Sequence, residues 1–404
     1  MSRTVRRRDL VITATTLQEL GADDFARWQD LERRAIEPYP QIGADYLQTA
    51  QLLRPGAQSM RLLIVSRGDD WLLVLPFTLG HATDRARVRA ITTADETMDH
   101  ESAKLYPLMD LESGARALDA ALGRLSSLGL PRLARIVLVD DLPPVLAALR
   151  GSVGGARSRL VEGAQVVRPL ALASGARKPL PAPGAVFPAE YALPETSSST
   201  RRKMGRLARR LSESVGALSV VVRDGDDAMV DDFLALQTAG WKGDPSRGGE
   251  GYDATGRTAW YRAYTRGFHE KGELLGVEFR GNGRVLYSTL VLRRGRVIHG
   301  LQDAYDEEFA EFSVGTLGRR AVLSVVRDLD IDLFDPNMSW YNFEAARVYP
   351  DRRGQRELVL AGPGLRSRSA ILGIRAARAA RDLMSRRTKH GADADASTDP
   401  GGEE

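Results

Sequence analysis

The chain has 404 residues, 43% of them hydrophobic, so it can bury sizeable cores in two domains or in one large composite domain. The formal net charge of +4 is too small by itself to indicate a nucleic-acid-binding protein. Cysteine is absent, which excludes disulfides, thiolate nucleophiles and cysteine-ligated metal sites.

In the first half, apolar residues at helical spacing predict a helix in "TLQELGADDFARWQDLERRAI". Two apolar runs, "RLLIVSR" and "WLLVLPFTLG", flank the turn residues Gly68-Asp69-Asp70 and predict a β-hairpin. A third strand, a helix and a buried strand are predicted to follow in "RVRAITT", "SGARALDAALGRLSSLG" and "RLARIVLVDD".

A stretch rich in proline, alanine and serine, residues 174–199, predicts an extended connector. The second half opens with a basic amphipathic helix in "STRRKMGRLARRL" and continues with a strand and two further helices. Three apolar runs separated by "RGNGR" and "RRGR" predict three consecutive antiparallel strands. A helix after residue 313 and the strand "DIDLFD" follow.

The two halves share one order of elements: helix, hairpin, third strand, loop, helix and strand. Because a helix that connects two strands of one sheet normally makes them parallel neighbours, we predict an α/β fold with a mixed sheet and two similar halves. The residues themselves do not repeat, so the repetition is one of architecture. We place the boundaries at 1–173, 174–199 and 200–365, followed by a basic helix at 366–387 and a disordered tail at 388–404.

The loop before the last helix distinguishes the halves, because only the second half has a glycine pair there. That loop reads Ser313-Val314-Gly315-Thr316-Leu317-Gly318. A helix start offers unpaired N–H groups and the positive end of a dipole, and glycine lets a ligand approach the backbone, so the loop suits a pyrophosphate. It is neither a P-loop nor a dinucleotide fingerprint, and an ordinary turn remains the alternative.

A helix terminus stabilises an anion by only about 0.3–2 kcal/mol. A micromolar ligand needs roughly 8 kcal/mol. The remainder would have to come from an extended, amide-bearing arm that pairs with a strand edge. Coenzyme A carries such an arm, pantetheine, beside its pyrophosphate.

Several stretches of the second half together resemble the CelD-like acetyltransferase family of the GNAT superfamily. They are "STRRKMGRLARRL", "LALQTAGWKG", "WYRAYTRGFHEKGELLGVEF", "DAYDEEFAEFSVGTLGRRAVL" and "DIDLFDPNMSWYNFEA". The family is related to the Fem-type peptidyltransferases, which carry two GNAT-like halves. The resemblance is clearest over residues 195–350, and it implies acetyl-CoA or another acyl-CoA as co-substrate.

Carried over by position, the resemblance assigns cofactor binding to residues 313–318 and makes Tyr305-Asp306 the pair that leads into that loop. Two positions depart from the family pattern. Val314 stands where the family often has proline, and Asn342 stands where related sequences commonly have lysine.

Without cysteine, an amine acceptor must attack the thioester directly, which requires a base for its proton and a donor for the departing thiolate. Asp303 and Asp306 are candidates for the base or for a substrate anchor. Tyr305 is a candidate donor to the thiolate, and His299, which alternates with apolar residues on a strand, is a further catalytic candidate. Each also has a structural interpretation as a turn cap or a packed side chain.

Trp241, Tyr341 and Glu344 are candidates for the substrate pocket. The five histidines are scattered and no HExxH motif occurs, so we expect no metal. No apolar run approaches the ~20 residues of a membrane span, and the basic N-terminus lacks the apolar segment of a signal peptide, so we expect a soluble cytoplasmic protein.

The leading hypothesis is an acyl-CoA-dependent N-acyltransferase that acetylates an amine of a sugar, glycan precursor or other cell-envelope metabolite. A second hypothesis is Fem-like aminoacyl transfer from charged tRNA, with the basic helix at 201–210 binding RNA. Only this hypothesis includes a nucleic-acid partner. A third is a non-catalytic module that keeps the GNAT shape to bind a partner.

Overall fold

The computed structural model describes residues 2–7, 9–54, 60–84, 87–94, 102–154, 157–182, 184–189, 197–339 and 347–396. Its helices are α1 (Ala22–Arg34), α2 (Ala44–Leu53), α3 (Gly114–Leu122), α4 (Pro143–Gly151), α5 (Ser198–Val215), α6 (Met229–Ala239), α7 (Thr258–His269), α8 (Val314–Val326) and α9 (Leu365–Ala396). Shorter 3₁₀ turns include Trp241–Gly243 and Glu307–Phe312.

The strands of the first half are β1 (Arg3–Arg7), β2 (Leu10–Thr16), β3 (Arg61–Arg67), β4 (Asp70–His81), β5 (Arg89–Thr92), β6 (Leu108–Met109), β7 (Leu133–Asp140), β8 (Leu160–Glu162) and β9 (Val166–Leu172). Those that follow are β10 (Val186–Pro188), β11 (Leu218–Asp224), β12 (Leu274–Gly281), β13 (Arg284–Arg294), β14 (Val297–Tyr305), β15 (Leu333–Asp335) and β16 (Asp351–Ala361).

All of these strands belong to one mixed sheet, with the order β1-β2-β3-β4-β5-β7-β16-β9-β15-β14-β13-β12-β11-β10. Strand β6 pairs with β4, and β8 pairs with β16, off this path. The predicted mixed α/β fold is therefore confirmed.

Each half repeats the same local topology, as the order of elements predicts. Strands β2 to β5 are antiparallel and β7 is parallel to β5, whereas β11 to β14 are antiparallel and β15 is parallel to β14. Helices α3 and α8 lie between the parallel strands in sequence, which is the connection that a parallel pair requires. The hairpin turns also lie where glycine predicts them, since Gly283 and Gly295 adopt positive φ angles of 86° and 56°.

The sheet is completed by an exchange of strands between the halves. Strand β16, from the end of the chain, inserts between β7 and β9, and β9 pairs with β15 of the second half. The predicted connector also touches the second half, because β10 extends the sheet beside β11.

Aromatic side chains connect the hydrophobic core of the first half to helices of the second half. Tyr46 of α2 makes edge contacts with Trp260 and Tyr264 of α7, at ring-centre distances of 5.4 and 5.0 Å. Helices α6 and α7 thereby join the apolar cluster that fills the first half. Helices α5 and α8 pack with a second cluster on the sheet of the second half.

The basic C-terminal helix is longer than predicted. It runs through Ala396, past Thr388, where we expect the disordered tail to begin, and residues 397–404 lie outside the described ranges. Ile371 and Ile374 of α9 are buried against Val359 and Ala361 of β16, so this helix covers the exchanged strand.

Candidate active site

Helix α8 begins at the predicted glycine loop. Ser313 adopts a left-handed conformation with φ 55° and ψ 42°, and its carbonyl oxygen accepts the N–H groups of Thr316 and Leu317 at 2.9 and 3.0 Å. The N–H groups of Val314 and Gly315 come earlier in the helix, so helical geometry gives them no acceptor within it. The helix start therefore presents backbone donors of the kind that bind phosphate.

The two glycines of the loop also have a packing reason. A Cβ atom on Gly318 would lie 2.3 Å from Cγ of Tyr287, and one on Gly315 would lie 3.2 Å from Cδ1 of Tyr305. Glycine therefore lets α8 press against two aromatic rings of the sheet. The side chains of Val314 and Leu317 are fully buried, so only backbone and hydroxyl groups of the loop remain for a ligand.

Strand β14 brings Asp303 and Tyr305 to the face of the sheet that α8 covers. The ring of Tyr305 lies against Gly315. Asp306 caps the next turn, since its carboxylate accepts the N–H of Glu308 at 3.1 Å and Nε of Arg284 at 2.9 Å. These contacts give Asp306 a clear structural role at the end of the strand.

Asp303 is a buried carboxylate held by two cations. Lys242 Nζ lies 3.0 Å from its Oδ1, Arg319 Nε lies 2.6 Å from its Oδ2, and the Tyr287 hydroxyl donates to Oδ2 at 3.2 Å. Burial alone would raise the pKa of Asp303, but the Arg319 and Lys242 charges outweigh it and hold the pKa far below the usual range. A carboxylate that is so firmly ionised is a poor general base near neutral pH.

Trp241 lies beside the end of the same strand. Its N–H donates to Glu307 Oε1 at 2.9 Å, and with Lys242 and Tyr305 it lines a narrow crevice. Tyr341 and Glu344, together with Asn342, lie outside the described residues.

Strands β14 and β15 pair over only three residues and then diverge. Val297 to His299 pair with Leu333 to Asp335, and a Cβ atom on Gly300 would lie 3.0 Å from the Pro336 carbonyl oxygen. From Gly300 to Tyr305, no described strand pairs with the β15 side of β14. Among the described residues, this leaves an edge of β14 without a partner strand, which we call the free edge and which runs from the point of divergence to the start of α8. One of its carbonyl oxygens, that of Asp303, accepts a hydrogen bond from Lys242 Nζ.

The corresponding gap in the first half is occupied by the chain itself. Beyond the short parallel pairing of β5 with β7, Leu105 forms a bridge to Val137, and its N–H reaches the Leu138 carbonyl oxygen at 3.5 Å. In the part of the first half that the structure describes, this segment lies where an extended ligand would have to pair with β7.

His299 lies where the two strands of the second half diverge. Its side chain is 1% exposed, and its Nδ1 lies 4.0 Å from Oδ2 of Asp335. Burial and the nearby charge of Lys104 lower the pKa of His299 well below its usual value, so the imidazole is neutral. Neither ring nitrogen has a hydrogen-bond partner among the described residues.

Around His299, a buried ion network joins the two halves. Arg168 of β9 donates to Asp335 Oδ1 and to Asp140 Oδ1, each at 2.7 Å, and Lys104 Nζ lies 3.0 Å from Asp335 Oδ2. All four charged side chains are fully buried. Burial would raise the pKa of Asp335, but Arg168 and Lys104 hold that pKa well below the usual range.

Several polar atoms at this network have no protein partner within the described ranges. They are Lys104 Nζ, apart from its ion pair, Tyr106 OH, Gln355 Oε1 and both ring nitrogens of His299. Each unsatisfied buried group costs about 1–3 kcal/mol. Since a whole domain is stable by only about 5–15 kcal/mol, we infer that water or a ligand satisfies these atoms.

The structure thus brings His299, Asp303, Tyr305, Asp306 and the loop 313–318 along one strand and its following helix, with Trp241 beside them. Sequence reasoning missed Lys242, Arg319, Lys104, Asp335 and Arg168. The signal for Lys242 and Arg319 was weak, because each is one cation among many in a chain with 57 lysines and arginines. The buried network had no local signal, because its members are far apart in sequence.

Comparison with known proteins agrees with this geometry. A family model described as an acetyltransferase (GNAT) domain matches residues 198–343. The segment contains the helix start, the free edge and His299. No curated protein sequence matches the chain.

Solved structures that match the chain have low sequence identity to it. A conserved protein of unknown function from Bacteroides thetaiotaomicron is 10% identical, with a TM-score of 0.49, over 83% of this chain and 97% of that one. The C-terminal domain of a putative lysylphosphatidylglycerol synthetase from Agrobacterium fabrum is 11% identical, with a TM-score of 0.45, over 87% and 95%. A tandem GNAT protein from the clavulanic acid biosynthesis pathway is 14% identical, with a TM-score of 0.38, over 88% and 100%.

Residues 198–343 therefore match a GNAT acetyltransferase domain, and this match supports a GNAT-like fold and acyl transfer as the activity. In the described ranges, no three histidine, aspartate or glutamate side chains are arranged to hold a metal ion. None of the helices described there has the length and apolar composition needed to cross a membrane.

Proposed function

We propose that the chain transfers an acyl group from acyl-CoA, in the simplest case acetyl-CoA, to the amine of a small molecule or glycan precursor. The observation that carries this proposal is the free edge of β14, which leads from the start of α8 to the neutral side chain of His299. The closer relationship to the CelD-like family and the cytoplasmic location stay predictions, and both agree with the use of acyl-CoA.

In the proposed complex, the pyrophosphate binds the backbone N–H groups at the start of α8. The pantetheine arm pairs with the free edge from Tyr305 towards Gly300, six residues whose end-to-end distance is about 16 Å. An extended arm with two amides suits such an edge, because main-chain hydrogen bonds provide affinity without a large pocket. The thioester then lies near Gly300, next to His299.

The amine nitrogen attacks the thioester carbonyl carbon, and the carbon–sulfur bond breaks. We propose His299 as the base that takes the ammonium proton, directly or through a water molecule, because it lies where β14 and β15 separate and both of its ring nitrogens are unpartnered among the described residues. Burial lowers its pKa and weakens it as a base, so a nearby negative charge is needed to stabilise the protonated form. Asp335, 4.0 Å away, would stabilise the resulting imidazolium. As the amide forms, the attacking nitrogen gives up its second proton, which the departing thiolate takes up, and His299 releases the first proton to solvent.

In this arrangement, Asp303 and Tyr305 lie along the cofactor arm rather than at the acyl group. Their proposed role is to shape the binding edge, with Asp303 fixing the positions of Lys242 and Arg319. Trp241, beside Tyr305, is proposed to border the same edge. Tyr341 and Glu344 stay predictions for the acceptor side.

The proposal is tested by calorimetry of the full-length protein with acetyl-CoA. We expect binding in the micromolar range, and Gly315→Val should weaken it at least about tenfold, or 1.4 kcal/mol, because the added methyl groups press on Tyr305 at the cofactor edge. Gly373→Ala is the matched control, since a Cβ atom there meets nothing within 4 Å.

Folded protein that releases no heat with acetyl-CoA or with longer acyl-CoA thioesters would contradict the proposal. Heat with charged tRNA but not with acyl-CoA would favour aminoacyl transfer instead. Binding of acetyl-CoA without turnover of any amine would favour the non-catalytic module.

A further inference from the structure

The contact between the two halves contains a group of polar side chains that the protein itself does not satisfy. Lys104 and Tyr106 come from the first half, His299 from β14 of the second, and Gln355 from the exchanged strand β16. Each of these four side chains, which we call the junction site, is at most 1% exposed. A cluster of this kind points to bound molecules that complete its hydrogen bonds.

The junction site adjoins the point at which the proposed cofactor arm ends. Lys104 Nζ and His299 Nδ1 both lie within 4.0 Å of Oδ2 of Asp335, the last residue of β15. His299 precedes Gly300, where β14 and β15 separate. A molecule in the junction site would therefore meet the acyl group from the side of the first half.

The charges around the junction site are balanced. The buried cations Lys104 and Arg168 are paired with the buried anions Asp140 and Asp335, and the partly buried Arg353 and Glu37 add one basic and one acidic side chain. A strongly charged ligand body would gain no net attraction and would have to be desolvated. The unsatisfied atoms are instead a mixture of donors and acceptors: a lysine N–H, a tyrosine hydroxyl, an amide oxygen and an imidazole. Hydroxyl groups match such a mixture, because each can both donate and accept.

We propose that the junction site binds the acceptor of the reaction, and that this acceptor is a primary amine bearing several hydroxyl groups. The first half then has a defined role, since it supplies Lys104 and Tyr106 to a reaction whose cofactor binds the second half. The identification of the bound molecule as the acceptor rests on the proposed function. Binding of an amine to the junction site can nevertheless be measured without acyl-CoA.

The test follows the imidazole resonances of His299 by nitrogen–proton NMR of the full-length protein, assigned with the His299→Gln variant. D-Glucosamine and ethanolamine are the probes, and n-butylamine is the amine without hydroxyl groups. We expect a saturable shift of the His299 signals with D-glucosamine, a weaker one with ethanolamine and none with n-butylamine.

Tyr106→Phe removes only the unpartnered hydroxyl and should weaken D-glucosamine binding about tenfold. Tyr39→Phe is the control, because the Tyr39 hydroxyl already donates to the Tyr106 carbonyl oxygen at 2.7 Å. It should lower stability but leave the affinity within twofold.

An unmoved His299 signal with both hydroxylated amines would overturn the inference, as would equal affinity in the Tyr106→Phe protein. A stronger response to n-butylamine than to D-glucosamine would also overturn it. These outcomes are independent of acetyl-CoA calorimetry, so a failure of the inference is distinguishable from a failure of the proposed function.

Discussion

Gly318 shows how one residue type can be recognised in a sequence for one reason and be required in the structure for another. The glycine pair at the start of α8 predicts close approach of a ligand, and the structure adds close approach of the sheet. At Gly318 the neighbour is the Tyr287 ring, at a distance that no Cβ atom would tolerate. Sequence alone did not separate these reasons, because the neighbour lies 31 positions earlier in the chain.

We therefore expect Gly318→Ala to destabilise the protein by about 1–3 kcal/mol, the usual cost of overpacking a core. Urea unfolding measures the change. Gly267→Ala in α7 is the matched control, since a Cβ atom there meets nothing within 4 Å, and it should be neutral or stabilising. Equal stability of the Gly318→Ala protein would show that α8 can move away from the sheet.

Asp303 is expected to matter more for stability than for proton transfer. Asp303→Asn leaves Lys242 and Arg319 partly buried without their common counter-charge, which should cost about 3 kcal/mol. Adding Lys242→Met to this variant should restore part of the loss, because one of the two unpaired charges is removed. Thermal or urea unfolding of both variants measures this, and an additive loss in the double variant would contradict it.

His299 gives the native state a defined dependence on pH. The pKa of the buried imidazole is lowered from its ordinary value of 6.5, so below that pH the unfolded chain binds a proton that the native protein does not. Stability should then fall as pH decreases below 6.5, by up to about 1.4 kcal/mol per pH unit from this residue. Above pH 6.5 the imidazole is neutral in the unfolded chain as well, so His299 causes no loss of stability there.

Urea unfolding at pH 7.5 and pH 5.5 tests this prediction with wild type and His299→Gln. The variant should lose less stability than wild type between the two values. The same loss in both proteins would mean that His299 is protonated in the native state.

At the scale of the element, local sequence signals were sufficient where turns and periodicity define the structure. The three hairpins, the crossover helices and the parallel strand pairs are confirmed, because each depends on residues that are close in sequence. The exchange of β9 and β16 was not predicted. The sequences of β9 and β16 do not indicate which strands they pair with, because these partners are far away in the chain and such pairing leaves no local sequence pattern.

The free edge of β14 leads to a prediction about one element. If the cofactor arm pairs with this edge, acetyl-CoA should slow amide hydrogen exchange in peptides that cover Gly300 to Tyr305 and Ser313 to Leu317. Peptides that cover β1 and β2, at the far end of the sheet from β14, should not change. Mass spectrometry resolves the two regions, and protection confined to other segments would argue against the proposed path of the arm.

At the scale of the whole molecule, the halves are recognisable but are not separate. Strand β9 has β16 on one side and β15 on the other, and both neighbours lie far along the chain. The buried network of Arg168, Asp140 and Asp335 spans the same contact. The sequence indicated two similar halves, and the structure shows that the two halves share one continuous sheet.

We accordingly predict that residues 1–173 do not fold as an isolated fragment. The fragment lacks β16, which pairs with β7, and both neighbours of β9. Circular dichroism of the fragment should show no cooperative thermal transition, whereas the full chain should unfold in one main transition. A cooperative melt of the fragment would show that the first half is an independent domain.

The insertion of β16 between β7 and β9 has a consequence for folding during synthesis on the ribosome. The about 220 residues between the end of β7 and the end of β16 take roughly 10–45 s to synthesise at ordinary ribosome speeds. During that interval β7 emerges with an unfilled edge, which is an open template for pairing with other chains. The nascent chain should therefore depend on chaperones that bind exposed strand edges until its last strand leaves the ribosome, and the contact between the halves is assembled only then.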